Sequence, residues 1–317
     1  VTPTVSIIVV NYRTPEMTLD CLRSIVRETK DTDYEILLVD NASNDGVIES
    51  VRSEMPNVRC FPLETNIGFA RANNFAAEYA TGRFLLLLNP DTLVIDRAID
   101  RLVAFAGEHP EAKIWGGLSL RADGTPDTSC WGRVSLWGAI CRTFCFDSAF
   151  QNSRIFNAEG YGGWDRRSIR EVDIVCGCFM LIDRATWDRL HGFDRIFFMY
   201  GEESDFCLRA ASIGARPLFT PDARIYHFAG ASHQVETEKI IRGLSARAEL
   251  IRRHLPVGTR LGLLINSWLP LVRAIGYGVG GRLLGNTNWL ARAKTWWCVW
   301  QRRSAWQTGF STLCLKR

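Results

Sequence analysis

Three apolar runs in the first ninety positions each stop on polar side chains. T-V-S-I-I-V-V leads to Asn11, Y-E-I-L-L-V to Asp40, and F-L-L-L-L to Asn89-Pro90-Asp91. The runs are nearly continuous rather than alternating. A strand with no polar side has to be covered on both faces, as strands are in a parallel sheet wrapped by helices. Segments of helical spacing lie between the runs. Thr14–Glu28 carries Met17, Leu19, Leu22, Ile25 and Val26, and the stretch from Ile67 to Ala80 is alanine-rich. Asn44 is placed to cap a short helix running to Val51, and Val58–Leu63 reads as a third strand. Gly82 stands where a glycine commonly ends a helix. The expected fold is therefore α/β, with a mostly parallel sheet flanked by helices. Ligands bind such sheets beyond the carboxyl ends of the strands. Asn11, Asp40 and Asp91 are thus expected on one rim.

The chain has 317 residues, 47% hydrophobic and 23% charged, a balance that excludes disorder. Its charge is unevenly spread. From Pro256 onward there are nine Lys/Arg and no Asp or Glu, which leaves 29 basic and 34 acidic residues in the first 255. Six of the eleven tryptophans fall in the same tail. We read residues 1–235 as the main domain, with a variable insertion at about 119–170, and residues 236–317 as a helical, basic, Trp-rich region. Within the main domain, regular structure is expected to resume at Val172–Asp183, with a helix over Glu203–Ile213 and a strand over Ala215–Ala223.

Leu261–Gly281 is apolar but contains Asn266, Pro270 and Arg273. A membrane span needs roughly 20 apolar residues, and a central Arg costs ~2.5–3.5 kcal/mol on insertion scales. An interfacial helix fits better. Trp268, Leu271, Val272, Ile275 and Val279 share one helical face, and Trp289, Trp296, Trp297 and Trp300 interleave with Arg292, Lys294, Arg302 and Arg303. That mixture suits an anionic membrane surface. It also suits a helical pair that packs on the body or on a second copy, giving a homo-oligomer. No nucleic-acid recognition motif accompanies it. None of the ten cysteines forms a C-x-x-C pair and no signal-peptide pattern opens the sequence, so buried thiols in a cytosolic setting are expected.

Three constellations bear on chemistry. Glu202, Glu203 and Asp205 crowd a helix start directly after Phe197-Phe198-Met199-Tyr200. Carboxylates beside large apolar groups are candidates for a raised pKa and general-base work, although Asp205 and Arg209 also have the i, i+4 spacing of an ion pair. Asp91 and His227 together can bind a divalent metal; alone, each is as well explained as a structural residue. Asn66, Gly68 and Arg71 open a helix, where backbone N–H groups and a guanidinium suit a diphosphate.

Taken in order, V-S-I-I-V-V-N-Y, L-L-V-D-N-A-S-N-D-G, N-I-G-F-A-R-A-N-N, L-L-N-P-D-T, G-F-D-R-I-F-F-M-Y-G-E-E-S-D-F-C-L-R and H-F-A-G-A-S resemble the inverting glycosyltransferases of family 2, which have the GT-A fold. The resemblance runs from Val5 to about Ser232. It implies that Asp40 binds the donor's nucleobase with Asn11 nearby, and that Arg71 lies on the phosphate side. Asn89-Pro90-Asp91 stands at the family's D-x-D, so Asp91 would bind Mg2+ or Mn2+. His227 would be a metal or diphosphate ligand, and Glu203 the base, preceded by Glu202. Two departures stand out: Asn89 replaces the first Asp of D-x-D, and Glu203 replaces an Asp. Gly177 and Cys178 fall near the acceptor in the pattern. Trp131, Trp137, Tyr161 and Trp164 are candidates for stacking on sugar rings and equally for the core.

The pattern is closest to the rhamnosyltransferase-like branch. The function it implies is transfer of a sugar from a pyrimidine nucleoside diphosphate, with dTDP-rhamnose as the first choice. The acceptor would be a lipid-linked saccharide at the cytoplasmic face of the membrane, used in making cell-surface polysaccharide. Two rival readings stand beside it. A sugar nucleotidyltransferase would need a glycine-rich basic loop for a triphosphate, and none follows the first strand. A catalytically degraded, nucleotide-binding scaffold is motivated by the Asn89 and Glu203 departures.

Overall fold

The computed structural model describes residues 2–228, 236–255 and 257–310. The Ala229–Ser232 end of the His227 motif lies outside the described residues. The chain divides into two compact units: Val1–Trp131 with Asp165–His233, and Gly132–Trp164 with Gln234–Arg317.

The first unit begins with β1 (Val5–Asn11), α1 (Pro15–Glu28), β2 (Tyr34–Asp40), α2 (Val47–Glu54), β3 (Arg59–Pro62) and α3 (Phe69–Tyr79). It continues with β4 (Phe84–Leu88), β5 (Thr92–Ile95), α4 (Ala98–Glu108), β6 (Ile114–Leu120) and β7 (Cys130–Trp131). The chain then supplies α5 (Leu136–Thr143) and α6 (Phe146–Ala149) to the second unit. It returns as β8 (Arg170–Glu171), β9 (Ile174–Val175), β10 (Phe179–Asp183), α7 (Arg184–Arg189), α8 (Glu202–Ser212) and β11 (Leu218–His227).

Nine strands form one sheet in the order β3-β2-β1-β4-β10-β6-β11-β5, with β8 against β11. β3, β2, β1 and β4 are parallel neighbours. β10 runs antiparallel between β4 and β6, and β11 is parallel to β6. β3, β2, β1, β4, β6 and β11 therefore all end at one rim, while β5, β8 and β10 run back. The continuous apolar runs are explained by coverage on both faces, for adjacent Ile7 and Ile8 are both fully buried. One face packs Ile7, Val9, Leu38 and Leu86 against Leu22 and Ile25 of α1 and Leu102 of α4.

Several local expectations change. α2 starts only after Gly46, so Asn44 lies in the loop, and Asp45 Oδ1 accepts the Val47 N–H at 3.2 Å. α3 ends at Tyr79 on an extended Ala80. Gly82 is needed because a Cβ there would stand 2.5 Å from the Ser6 nitrogen of β1. Asn66 does not cap α3. Its Oδ1 accepts the Gly68 N–H at 2.9 Å and the Asn41 amide at 3.0 Å, while Asn41 Oδ1 accepts the Ile67 N–H. Gly68 has φ +86°, and a Cβ would lie 2.4 Å from the Phe198 carbonyl oxygen.

The second unit adds α9 (Glu236–His254), α10 (Thr259–Leu283) and α11 (Thr287–Gln301) to α5 and α6. Ile241 and Leu244 of α9, Leu269 of α10, Val299 of α11 and Trp306 form its core. Trp296 packs against that core and Trp297 is exposed. No described helix is long and apolar enough to cross a membrane.

Gly68→Ala is expected to cost about 1–3 kcal/mol, because left-handed strain adds to overpacking against a backbone oxygen. Gly46→Ala, with φ +80° but nothing within 4 Å of the new methyl, should cost less. Urea midpoints compare the two; equal losses would contradict the close approach of Phe198.

Candidate active site

The rim at the strand ends is built around Asn11, which is fully buried. Its Nδ2 donates to Asp40 Oδ1 at 2.8 Å, Ser43 Oγ at 3.0 Å and Asp45 Oδ2 at 3.1 Å. Its Oδ1 accepts from the Thr14 and Thr18 hydroxyls at 3.1 and 2.9 Å. Asn11 thus orients Asp40 and has no side-chain atom left over for a ligand. Asp40 is buried at the end of β2, where the Ser43 N–H also meets its carboxylate.

Beyond β4, the Asn89 N–H donates to the Cys178 carbonyl at 3.1 Å, and the Thr92 hydroxyl closes the Asn89-Pro90-Asp91 turn. The turn sets Asp91 opposite the end of β11. Asp91 Oδ1 lies 3.5 Å from His227 Nε2, with the two side chains only 15% and 13% exposed. The other imidazole nitrogen, Nδ1, faces Asp127 Oδ2 at 3.7 Å, and Arg121 holds Asp127 Oδ1 at 2.9 Å. Burial opposes an imidazolium at His227, but the neighbouring carboxylates, Asp91 above all, outweigh it and hold the pKa above its ordinary value. Asp91 and His227 offer two metal ligands; among the described residues no group of three or more His, Cys, Asp or Glu can hold an ion. A hard cation that keeps waters and takes phosphate oxygens needs only one or two protein ligands.

Glu202 and Glu203 open α8 after Gly201, which has φ +90°. A Cβ on Gly177 would lie 3.6 Å from Glu203 Cβ, so Gly177 leaves the approach to Glu203 open. Burial raises both glutamate pKa values. Backbone N–H groups at the helix start offset part of the rise at Glu203, whereas Glu202 also feels the Glu203 charge and rises further. Glu202 Oε2 is buried with no hydrogen-bond partner. Of the two, Glu202 therefore holds a proton more tightly than Glu203. Asp205 is spoken for: fully buried, it receives Arg209 Nε at 2.6 Å, and Arg209 ties down the Leu190 and Gly192 carbonyls. The expected ion pair forms, but inside the protein rather than on its surface. Burial pushes the thiols of Cys21, Cys130 and Cys207 up to about 12. Hydrogen bonding to Cys178, followed by burial, raises the Cys176 thiol as well.

The remaining expected site residues have surroundings of their own. The Phe69 N–H at the start of α3 donates to the Phe198 carbonyl at 2.8 Å, so that amide is taken. Arg71 Nε reaches the Arg195 carbonyl at 3.2 Å, beside a surface cavity of about 410 Å3 that Asn74 and Glu78 also line. Trp131 sits half-buried in β7 of the first unit, whereas Trp137, Tyr161 and Trp164 belong to the second. Sequence reasoning missed Asn41 and Asp127. Asp127 follows β6 in a turn closed by its own N–H to Ser119, and a G-T-P-D turn would have been legible had β6 been assigned.

Solved structures superpose on this chain. A mannosyltransferase from Pyrobaculum calidifontis, in complex with GDP-Man and Mn2+, superposes with a TM-score of 0.58 at 18% identity, covering 100% of this chain and 89% of that one. GalNAc-T7 with UDP, GalNAc and Mn2+ gives 0.55 at 14% identity, covering 79% and 48%. At these identities the likeness establishes the fold, which is GT-A. The family model described as glycosyl transferase family 2 matches residues 6–190, and the chain belongs to that family. An N-acetylglucosaminyl-diphospho-decaprenol L-rhamnosyltransferase of Mycobacterium tuberculosis is 26% identical over 211 residues, 61% of this chain and 66% of that protein. A PGL/p-HBAD biosynthesis glycosyltransferase of Mycobacterium bovis is 27% identical over 184 residues, 56% and 70% of the two chains.

A carboxyl whose pKa is raised by folding binds its proton more tightly when folded, so the folded state loses stability as pH rises from the ordinary value toward the raised one. Glu202→Gln should therefore be neutral near pH 4.5 and stabilising at pH 8. Thermal midpoints at the two pH values test this; a variant destabilised equally at both would contradict a protonated, unpartnered Glu202.

Proposed function

We propose that this protein is an inverting, metal-dependent glycosyltransferase that passes a sugar from a nucleoside diphosphate to a hydroxyl of a lipid-linked saccharide. The observation that carries the reading is the Glu202–Glu203 pair beside Gly177, on a chain whose sheet rim also holds Asp40, Asp91 and His227. Asp40, held by Asn11, recognises the base. Asp91 and His227 would hold Mg2+ or Mn2+, which when bound stabilises charge on the leaving diphosphate. Glu203 takes the proton of the acceptor hydroxyl as that oxygen attacks the anomeric carbon, and attack opposite the departing diphosphate inverts that carbon. Glu202, kept protonated, leaves the negative charge on Glu203. Asn89 in place of a carboxylate lowers the negative charge beside Asp91.

Likeness to the mycobacterial rhamnosyltransferase supports a dTDP-rhamnose donor and an acceptor on a polyprenyl diphosphate. The second unit supports a place at the cytoplasmic face of the membrane, as a peripheral protein. On α10, Leu261, Leu264, Trp268, Ile275, Val279 and Leu283 are all exposed and recur at three-, four- and seven-residue spacing, on the side opposite buried Gly262, Leu269 and Ala274. A surface helix ordinarily shows solvent its polar face. An exposed apolar stripe within a basic, Trp-rich region suits an anionic bilayer.

Glu203→Gln should lower transfer by about 10²–10⁴-fold while leaving nucleoside-diphosphate affinity unchanged; release of dTDP from dTDP-rhamnose with a lipid-diphosphate acceptor measures it. Unaltered turnover would remove Glu203 as the base, and absence of any turnover in the wild type would favour the scaffold. Ile275→Glu should reduce sedimentation with phosphatidylglycerol vesicles severalfold. Unchanged vesicle binding together with loss of a dimer in analytical ultracentrifugation would mark α10 as a contact between copies.

A further inference from the structure

Within the second unit, three arginines gather around α5. Arg142 lies one turn beyond Gly138 on the same helical face, and Glu159 rests on that face: a Cβ on Gly138 would stand 1.9 Å from Glu159 Oε1. Glu159 Oε2 accepts from Arg247 Nη2 at 2.9 Å, and Glu159 Oε1 accepts from the Ser135 N–H at the start of α5. Arg273, from α10, donates through Nη2 to the Arg142 carbonyl at 3.1 Å. The Arg142 guanidinium itself has no hydrogen bond or ion pair among the described residues.

Polar atoms without partners lie on α9 and α10. Nε of Arg247 and Nε of Arg273 are buried without partners. Asn266 of α10, next to the Ile265 whose carbonyl accepts from Thr143, is buried with both amide atoms unpaired. Desolvation, and then the like charge of Arg247, pushes the Arg142 pKa down to about 10; Glu159 and Asp147 oppose the shift, and Arg273 adds a smaller share to it. Because Arg142 keeps open surface, the repulsion is the informative part. Guanidinium N–H groups left unpaired suit an anion, and arginine's fork matches a phosphate.

The surroundings say which anion. Phe144, Phe146 and Phe150 follow Arg142 in the chain and stay exposed. The two segments of this unit carry 17 Lys/Arg against five Asp/Glu. Aromatic side chains at the acyl boundary with arginines at phosphate level are the arrangement of an interfacial lipid site.

We propose that Arg142, Arg247 and Arg273 form a binding site for the phosphate of a membrane lipid, carried either on an anionic headgroup or on a prenyl diphosphate. The choice of a lipid rests on the membrane reading of this unit; the site itself rests on the arginines. Full-length wild type, Arg142→Gln, Arg142→Lys and Arg273→Gln are titrated in EDTA with farnesyl diphosphate, and floated with phosphatidylglycerol or phosphatidylcholine vesicles. Arg142→Gln should weaken at least one of the two interactions about fivefold, the contribution of one interfacial arginine, with partial recovery in Arg142→Lys. Loss confined to farnesyl diphosphate assigns a prenyl diphosphate; loss confined to phosphatidylglycerol assigns a headgroup. Unchanged binding of both in Arg142→Gln and Arg273→Gln overturns the site. Nucleoside-diphosphate binding with Mn2+ on the same samples keeps the two readings apart, since its failure in the wild type strikes the transferase reading and leaves the lipid site standing.

Discussion

The buried amide of Asn11 ties the rim together. Six hydrogen bonds converge on it, three from Nδ2 and three to Oδ1. They join the end of β1, the start of α1, the end of β2 and the loop before α2. The β1–β2 register pairs Asn11 with Asp40 directly, so parallel pairing delivers the two residues side by side. Without that amide, the buried Asp40 side chain would lose its main donor, at a cost typical of an unpaired buried group, about 1–3 kcal/mol or more. The ordered rim is thus a consequence of burying polar groups completely rather than of exposing them to a ligand.

A second constraint acts on the other side of the rim. The Phe197–Tyr200 segment passes so close to Gly68 that α3 starts on the Phe198 carbonyl. Gly201 then turns the chain into α8, and Glu202 and Glu203 enter a setting that penalises two charges. Environment separates the two: the deeper glutamate holds a proton more tightly than the one beside Gly177. This sorting needs no metal and no substrate, and it follows from the packing of apolar side chains around a helix start.

Much of this was legible in the sequence because it is written in strand ends. Continuous apolar runs announced a doubly covered sheet, and the polar residue closing each run marked the rim. The i, i+4 pair Asp205–Arg209 was readable too, but its burial was not, because burial depends on tertiary packing, such as the bonds of Arg209 to the Leu190 and Gly192 carbonyls. β5 and β6 escaped notice. β5 has only four residues, and β6 includes two glycines where a Cβ would strike Val175 and Phe179. Asp127 was lost with β6. Residues 132–164 could not be assigned from composition, because their association with the C-terminal helices depends on tertiary contacts such as Arg247–Glu159 and Thr143–Ile265. Asn66 and Gly68 matched a diphosphate-binding pattern, yet Asn41 and Phe198 claim the groups that made the pattern attractive.

The central claim is that the rim binds a nucleoside diphosphate with a divalent cation between Asp91 and His227. The most direct test is calorimetric titration of the protein with UDP, dTDP and GDP, each with and without Mn2+, alongside Asp91→Asn. One diphosphate should bind tightly with Mn2+ and weakly without it, and Asp91→Asn should erase the difference. Binding that ignores both Mn2+ and the substitution, or no binding of any of the three, would contradict the account.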